Sequence, residues 1–570
     1  MISASKLLIF LILPISIYGK ISIFPASFNS TSSRLVSLPG PIINTQHGPV
    51  QGRQEFYDGS KYVYTYKGIR YAAAPIGNLR FRQAIPPAPW STVFQADTHG
   101  SWCPQIDLNT LVYSGNEDCL FLNIATPSTK GGNHAVVVNF HGGGLQAGAG
   151  DIEPLRADFV NQNDVIYVAP NYRLNILGFF NTGDRNSPGN YGIKDMIMVL
   201  QWVRNNIAQF GGDPNNVSIM GVSGGAVSVH ALVVSRAAQG LFTRALSHSG
   251  SLFNSYAFTT NPQASVNKTI AKLGLSVSST QDLMNQLRLL PAETLVRVAE
   301  SDHTRMPRLF EEMTFMPSID PIDTDEPRIF TDSVTNLINS GNINNVPYMI
   351  GFNSMESLYS ITDMFVNSSF LDAFNQNPHL LVPIEWNLVP NSNEANEVIT
   401  AFRNLYFGGR TVIRITDFFA WAQYVSDREF IFGVTKAVRL HWQRQNLYHF
   451  MFSYSGALSF AQILWGLSNF DEAMHGDDAF YFFRMDPLPM EVPENDPALI
   501  VRDRFVRLWT NFFKYGNPTA VRDDLVTITW PRYTVNGDFM DIGLNLRSGF
   551  NPLSNRMNIW YNFDQRFNRN

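Results

Sequence analysis

Cysteine is nearly absent: Cys103 and Cys119 are the only two in 570 residues. No clustered His/Cys set stands at metal-ligand spacing, so neither a structural metal nor a cofactor is expected. Charge of one sign is missing too. The formal net charge is −5, with no charge run, which gives nucleic acid or an anionic membrane nothing to recognise. Low-complexity tracts, internal repeats and linker-like boundaries are likewise lacking. After the first twenty residues no apolar run approaches the ~18 residues a membrane-crossing helix needs, so no membrane anchor is expected. The polar end "NIWYNFDQRFNRN" carries neither a lipid-anchor tail nor an ER-retention signal.

What is present begins with "MISASKLLIFLILPISIYGK": Lys6, an apolar run from Leu7 to about Ile17, then small and polar residues. This is the pattern of a secretory signal, too short to span a bilayer. Residues 1–19 are therefore expected to be removed and 20–570 to form one secreted, extracellular domain. In a secreted chain an isolated cysteine pair is most simply one disulfide, and closing a loop of this size stabilises by about 3 kcal/mol in the chain-entropy picture. Asn29, Asn267 and Asn367 open Asn-X-Ser/Thr acceptors expected in loops or near the terminus; Asn216 opens a fourth but stands at the start of a strand, where it is confined.

Short β-forming apolar runs recur at Ala135–Phe140, Val165–Ala169, Val217–Met220, Tyr348–Phe352 and Tyr448–Ser453. Between the second and third lies "NYGIKDMIMVLQWVRNNIAQFGG", whose apolar residues recur at helical spacing until Gly211-Gly212 stops them. Apolar strands alternating with helices predict an α/β fold, a mostly parallel sheet covered on both faces. Active sites in such sheets collect at the carboxyl ends of the strands.

Three strand ends carry chemistry. The third run enters "GVSGG", which reads as strand, sharp turn and helix, with Ser223 at the turn and glycines where strand and helix cross too closely for side chains. The first run enters "HGGGLQAGAG", a glycine loop able to turn N–H groups into a cavity, as a tetrahedral oxyanion requires. Gly143 and Gly144 are the candidate donors there, joined by the N–H of Gly224, and His141 is expected to brace the loop. Past the fourth run stands Glu356 and past the fifth His475, the order Ser…acid…His of an α/β-hydrolase scaffold.

Beyond these, "YKGIRYAAAPIGNLRF", "NEDCLFLNI", "NYRLNILGFF", "NNVSIMG", "GLFTRALSHSGS" and "HGDD" give the chain a resemblance, nearly end to end, to the type-B carboxylesterases, the family that includes the cholinesterases. Secreted insect carboxylesterases are the most similar group. The resemblance implies an α/β-hydrolase fold with helical insertions over an active-site gorge, and hydrolysis of small-molecule carboxylic esters. It implies Ser223 as nucleophile, Glu356 as acid, His475 as base, Gly143, Gly144 and Gly224 as oxyanion donors, and the bridge Cys103–Cys119. Tyr256 stands where relatives often place a tryptophan that narrows the acyl pocket. Three positions depart from the family pattern: Val222 for Glu or Gln, Gly224 for Ala, and Ser357 for Gly. A methyl group at 224 leaves the N–H in place, so Ala is expected to be tolerated there. The loop between the cysteines lacks the tryptophan with which cholinesterases hold a quaternary ammonium, Tyr113 being its only aromatic residue. Cholinesterase, juvenile-hormone esterase and a non-catalytic adhesion protein of the same fold remain the alternatives.

Overall fold

The computed structural model describes residues 37–568 apart from 59–60, 108–109, 154, 301–314, 362–363, 365–367, 466–470 and 486–491. The expected signal segment and the acceptors Asn29 and Asn367 lie outside the described residues.

Val136, Val137 and Val138 show why the centre of the molecule is a sheet buried on both faces. Val136 and Val138 belong to one apolar cluster, Ala135 and Val137 to another, so alternate residues of one strand point into two separate cores. A strand in that position must be apolar at every residue, which is the pattern of its sequence. The principal strands are β1 (Ser37–Asn44), β2 (Pro49–Asp58), β3 (Lys61–Arg70), β4 (Phe121–Thr126), β5 (His134–Phe140), β6 (Val165–Pro170) and β7 (Gly212–Val222), followed by β8 (Arg244–His248), β9 (Tyr348–Asn353), β10 (Leu447–Phe452), β11 (Asp538–Ile542) and β12 (Leu546–Phe550). They lie in the order β1-β2-β3-β4-β6-β5-β7-β8-β9-β10-β11-β12, and the short strand Phe94–Gln95 adds to β2. From β6 through β11 every neighbouring pair is parallel; the pairs outside that block, on the path, are antiparallel.

Each face carries a helix that fits it. The helix α1 (Tyr191–Asn206) places Ile193, Met196, Leu200 and Val203 in the first core. It ends in a 3₁₀ turn, Ile207–Phe210, closed by Gly211 at φ 88°, where the absence of a Cβ makes the left-handed turn cheap. Against the other core lies α3 (Pro497–Tyr515), through Val501, Phe505, Leu508 and Phe512; the Asp496 side chain caps its start and Gly516 its end. Among the described residues no helix is long and apolar enough to cross a membrane. Cys103 and Cys119 are joined as a disulfide. Asn267 is exposed but lies within the helix Pro262–Leu273 rather than in a loop. Asn216 is half-buried and accepts a hydrogen bond from the Arg244 guanidinium, the confinement expected of it.

Candidate active site

Strand β7 runs through Val222 into Ser223, and the helix α2 (Gly224–Val234) starts at the next residue. Ser223 sits at φ 60°, ψ −126°, a conformation costly for a residue with a side chain and sustained only where the surroundings impose it. They do so here: its N–H donates to His248 O on β8 at 2.9 Å, and its carbonyl takes the N–H of Val227 at 3.1 Å. The flanking glycines are a steric necessity. A Cβ on Gly221 would stand 2.3 Å from the carbonyl carbon of Gly225, and one on Gly225 only 2.0 Å from Phe140 O.

The glycine loop after β5 faces this turn. Gly143, Gly144 and Leu145 have φ of 101°, 62° and 62°, and Gly143 O accepts from the N–H groups of Gln146 and Ala147. His141 braces the loop: its Nδ1 donates to Gly142 O at 2.9 Å, and its ring stacks on Tyr172 at 4.2 Å. Burial pushes the His141 pKa down to about 4, so the brace is a neutral imidazole. Among the described residues nothing accepts the N–H of Gly143, Gly144 or Gly224. A Cβ on Gly224 would fall 2.8 Å from Gly144 N and 2.9 Å from Leu145 N, so loop and elbow meet at closer range than a side chain at 224 permits. The N–H survives a methyl group at 224, but the backbone of the glycine loop must shift to admit it.

Glu356 and His475 come together from the ends of β9 and of the segment after β10. His475 Nδ1 lies 2.7 Å from Glu356 Oε2, and the His475 N–H donates to Glu356 O at 2.9 Å. The carboxylate has no solvent exposure, whereas 19 % of the imidazole side chain remains accessible. Holding a buried carboxylate demands donors. Ser249 Oγ supplies one at 2.5 Å to Oε1, and Asn353 N–H another at 2.7 Å. The imidazole ring also packs against the Phe430 ring, with centroids 4.4 Å apart.

Phe430 belongs to a single π-helical turn, Asp427–Ile431, and its seat is a local hydrogen-bond arrangement. Asn254 Nδ2 donates to both Glu429 O and Phe430 O. Phe430 in turn packs against Tyr256 at 5.6 Å, and the Tyr256 hydroxyl lies beside the Ser223 side chain. Contacts thus link Ser223 to Tyr256, Tyr256 to Phe430 and Phe430 to His475, which Glu356 holds, while the loop of Gly143 and Gly144 meets the elbow at Gly224.

Several contributors were not legible from the sequence. Ser249 and Asn353 are ordinary strand-end residues until Glu356 is placed over them. Beneath them His248 Nδ1 lies 3.0 Å from Asp478 Oδ2, and Asn353 Oδ1 meets His248 Nε2 at 2.8 Å. Burial works to discharge His248, yet Asp478 outweighs it and holds the pKa above that of an ordinary histidine. Burial likewise opposes ionisation of Asp478, and His248 overcomes it, lowering that pKa. A buried ion pair therefore supports the strand end that carries the Glu356 loop. The "HGDD" of the sequence contained Asp478, but nothing there paired it with His248.

Residues 39–560 match the model of the carboxylesterase family. The chain belongs to the carboxylesterase family. It is 32% identical over 500 residues to esterase E4 of Myzus persicae, covering 85% of this chain and 88% of that one. It is 30% identical over 507 residues to a juvenile hormone esterase of Tribolium castaneum, covering 84% of each. Among solved structures it resembles juvenile hormone esterase from Manduca sexta with OTFP covalently attached, at TM-score 0.81 and 25% identity over 93% of this chain and 100% of that one. The fold is that of an α/β-hydrolase, and the protein is a carboxylic ester hydrolase whose substrates are small-molecule esters.

Proposed function

We propose that residues 20–570 act as a secreted serine esterase that hydrolyses uncharged carboxylic esters through Ser223, His475 and Glu356. Ser223 Oγ attacks the ester carbonyl while His475 Nε2 takes its proton; Glu356, bonded to Nδ1–H, fixes the tautomer and stabilises the imidazolium. The N–H groups of Gly143, Gly144 and Gly224 receive the oxyanion as it develops. His475 then protonates the leaving alcohol, and water repeats the sequence on the acyl-enzyme.

The observation that carries this reading is the fully buried Glu356 carboxylate, 2.7 Å from a partly accessible imidazole and tied down by Ser249 and Asn353. A carboxylate so placed orients one ring nitrogen and leaves the other free for proton transfer. The preference for uncharged esters rests on the cysteine-bridged loop, which offers no tryptophan to a quaternary ammonium. Trp102, one residue outside that loop, donates Nε1–H to Asp151 Oδ2 at 2.7 Å.

An organophosphate decides the nucleophile. It is expected to label one site stoichiometrically and to abolish esterase activity, and Ser223→Ala should remove both the labelling and several orders of magnitude in turnover. Labelling that persists in the Ala variant places the nucleophile elsewhere.

A further inference from the structure

The segment just past β8 fastens both neighbours of His475. Ser249 Oγ donates to Glu356 Oε1, and further along Asn254 Nδ2 donates to Glu429 O at 2.5 Å and to Phe430 O at 3.0 Å. On its other side the buried Asn254 amide accepts, through Oδ1, from the Ser251 N–H at 2.6 Å and the Ser251 hydroxyl at 2.9 Å. Both amide hydrogens and both acceptor lone pairs are therefore engaged, and the amide has one possible orientation. The segment is itself tied to rigid elements: Ser249 N–H donates to Gly351 O on β9 at 2.8 Å, and Leu252 N–H to His230 Nδ1 on α2 at 2.9 Å. Gly433, just beyond the π-helical turn, meets the same segment. A Cβ there would stand 2.7 Å from Asn254 N and 2.8 Å from the Phe253 carbonyl carbon, so helix and loop touch backbone to backbone. That closeness lets one short amide reach two carbonyls of the turn.

We propose that Asn254 is a positioning residue: by holding the π-helical turn it keeps Phe430 against the imidazole, and so keeps His475 where its second ring nitrogen can take the Ser223 proton. The inference rests on His475 being the base. Its bond to Glu356 fixes one ring atom, about which an imidazole can still swing, and the Phe430 ring packed beside it blocks that swing. Phe430 can do so only while its own backbone is fixed, and Asn254 grips that backbone at the carbonyl of Phe430 and of the residue before it. One segment thus sets the base from two directions, through the acid by Ser249 and through the aromatic ring by Asn254.

The test is a double-mutant cycle on p-nitrophenyl butyrate, with wild type, Asn254→Ala, Phe430→Leu and the double variant normalised to active sites by organophosphate titration run to completion. Misplacing a catalytic group by about 1 Å can cost about a hundredfold, so each single variant is expected to lose about tenfold or more in kcat. For Asn254→Ala, KM should stay within about threefold, because the defect lies in proton transfer and not in binding. In the Phe430→Leu background the same change should cost less than about threefold further, since the ring it positions is gone. A loss below threefold in either folded single variant overturns the proposal, as does a loss carried mainly in KM or two losses that multiply in full. Gly433→Ala leaves the Asn254 amide intact and drives its helix off the loop, and it gives the same reading in both backgrounds if Asn254→Ala does not fold. His475→Ala separates the two levels of the argument. Turnover that survives there removes the base assignment and this role with it; turnover lost there, beside an unimpaired Asn254→Ala enzyme, overturns the role of Asn254 alone.

Discussion

Adding one methyl group at Gly224 should slow the enzyme without unfolding it. An ideal Cβ there stands 2.8 Å from Gly144 N, 2.9 Å from Leu145 N and 3.0 Å from Gly144 Cα. Ordinary non-bonded contact lies near 3.5 Å, so the glycine loop must withdraw by roughly half an ångström. Oxyanion donors act at about 2.7–3.1 Å, and removing one altogether costs about 10²–10³ in kcat. Half an ångström leaves a donor in place but beyond its best range, which predicts a loss of about tenfold to thirtyfold in kcat for Gly224→Ala. The donors bind charge that exists only in the transition state, so KM should stay within about twofold. Of the loop, Leu145 alone belongs to either core, and the melting temperature should hold to within about 3 °C. The assay is steady-state turnover of p-nitrophenyl butyrate, normalised to active sites by organophosphate titration, beside a thermal melt. An unchanged kcat in a fully folded variant would refute the reasoning, since the loop would then yield without cost to the site.

Gly225→Ala is expected to fail earlier, because its Cβ would meet Phe140 O at 2.0 Å inside the sheet; loss of soluble protein or of the cooperative melt is the readout, and a native melt contradicts it. Butyrylcholine should be hydrolysed at least about tenfold less efficiently than its uncharged isostere 3,3-dimethylbutyl butyrate, and parity would return the cholinesterase reading. Acid should destabilise the fold. Burial lowers the pKa of His141, His441 and His449 to about 4 and holds that of His230 well below its ordinary value, so their contribution is complete above the unfolded value near 6.5 and fades as pH falls toward 4. Each histidine can contribute up to about 1.4 kcal/mol per pH unit in that window, opposed by Asp320 and Asp477, which burial keeps protonated up to about 6 and about 8. Melting temperatures should drop between pH 6.5 and 5, and His441→Gln should flatten the slope; a level profile in the wild type argues against four neutral buried imidazoles.

The sequence by itself determined the central strands, the helix Tyr191–Asn206 and the elbow, because each is written in local pattern. Continuous β-branched runs fit only a strand buried on both faces, and Gly221 and Gly225 are needed wherever helix and strand cross so closely. It missed β1–β4 and β12, which flank the parallel block, and β8 and β11 within it, none of which carries such an unbroken apolar run. It named Glu356 and His475 by order along the chain, but their 2.7 Å contact depends on two loops more than a hundred residues apart in sequence. Only tertiary structure could recruit Ser249, Asn353 and the His248–Asp478 pair, since a hydrogen-bond donor to a buried carboxylate is defined by position and not by residue type. The same holds for Gly224: backbone chemistry makes a methyl group there harmless, and the spacing of two loops makes it a constraint. Local preference is carried by neighbours in the chain, whereas clearance and charge pairing arise only when distant segments share a volume.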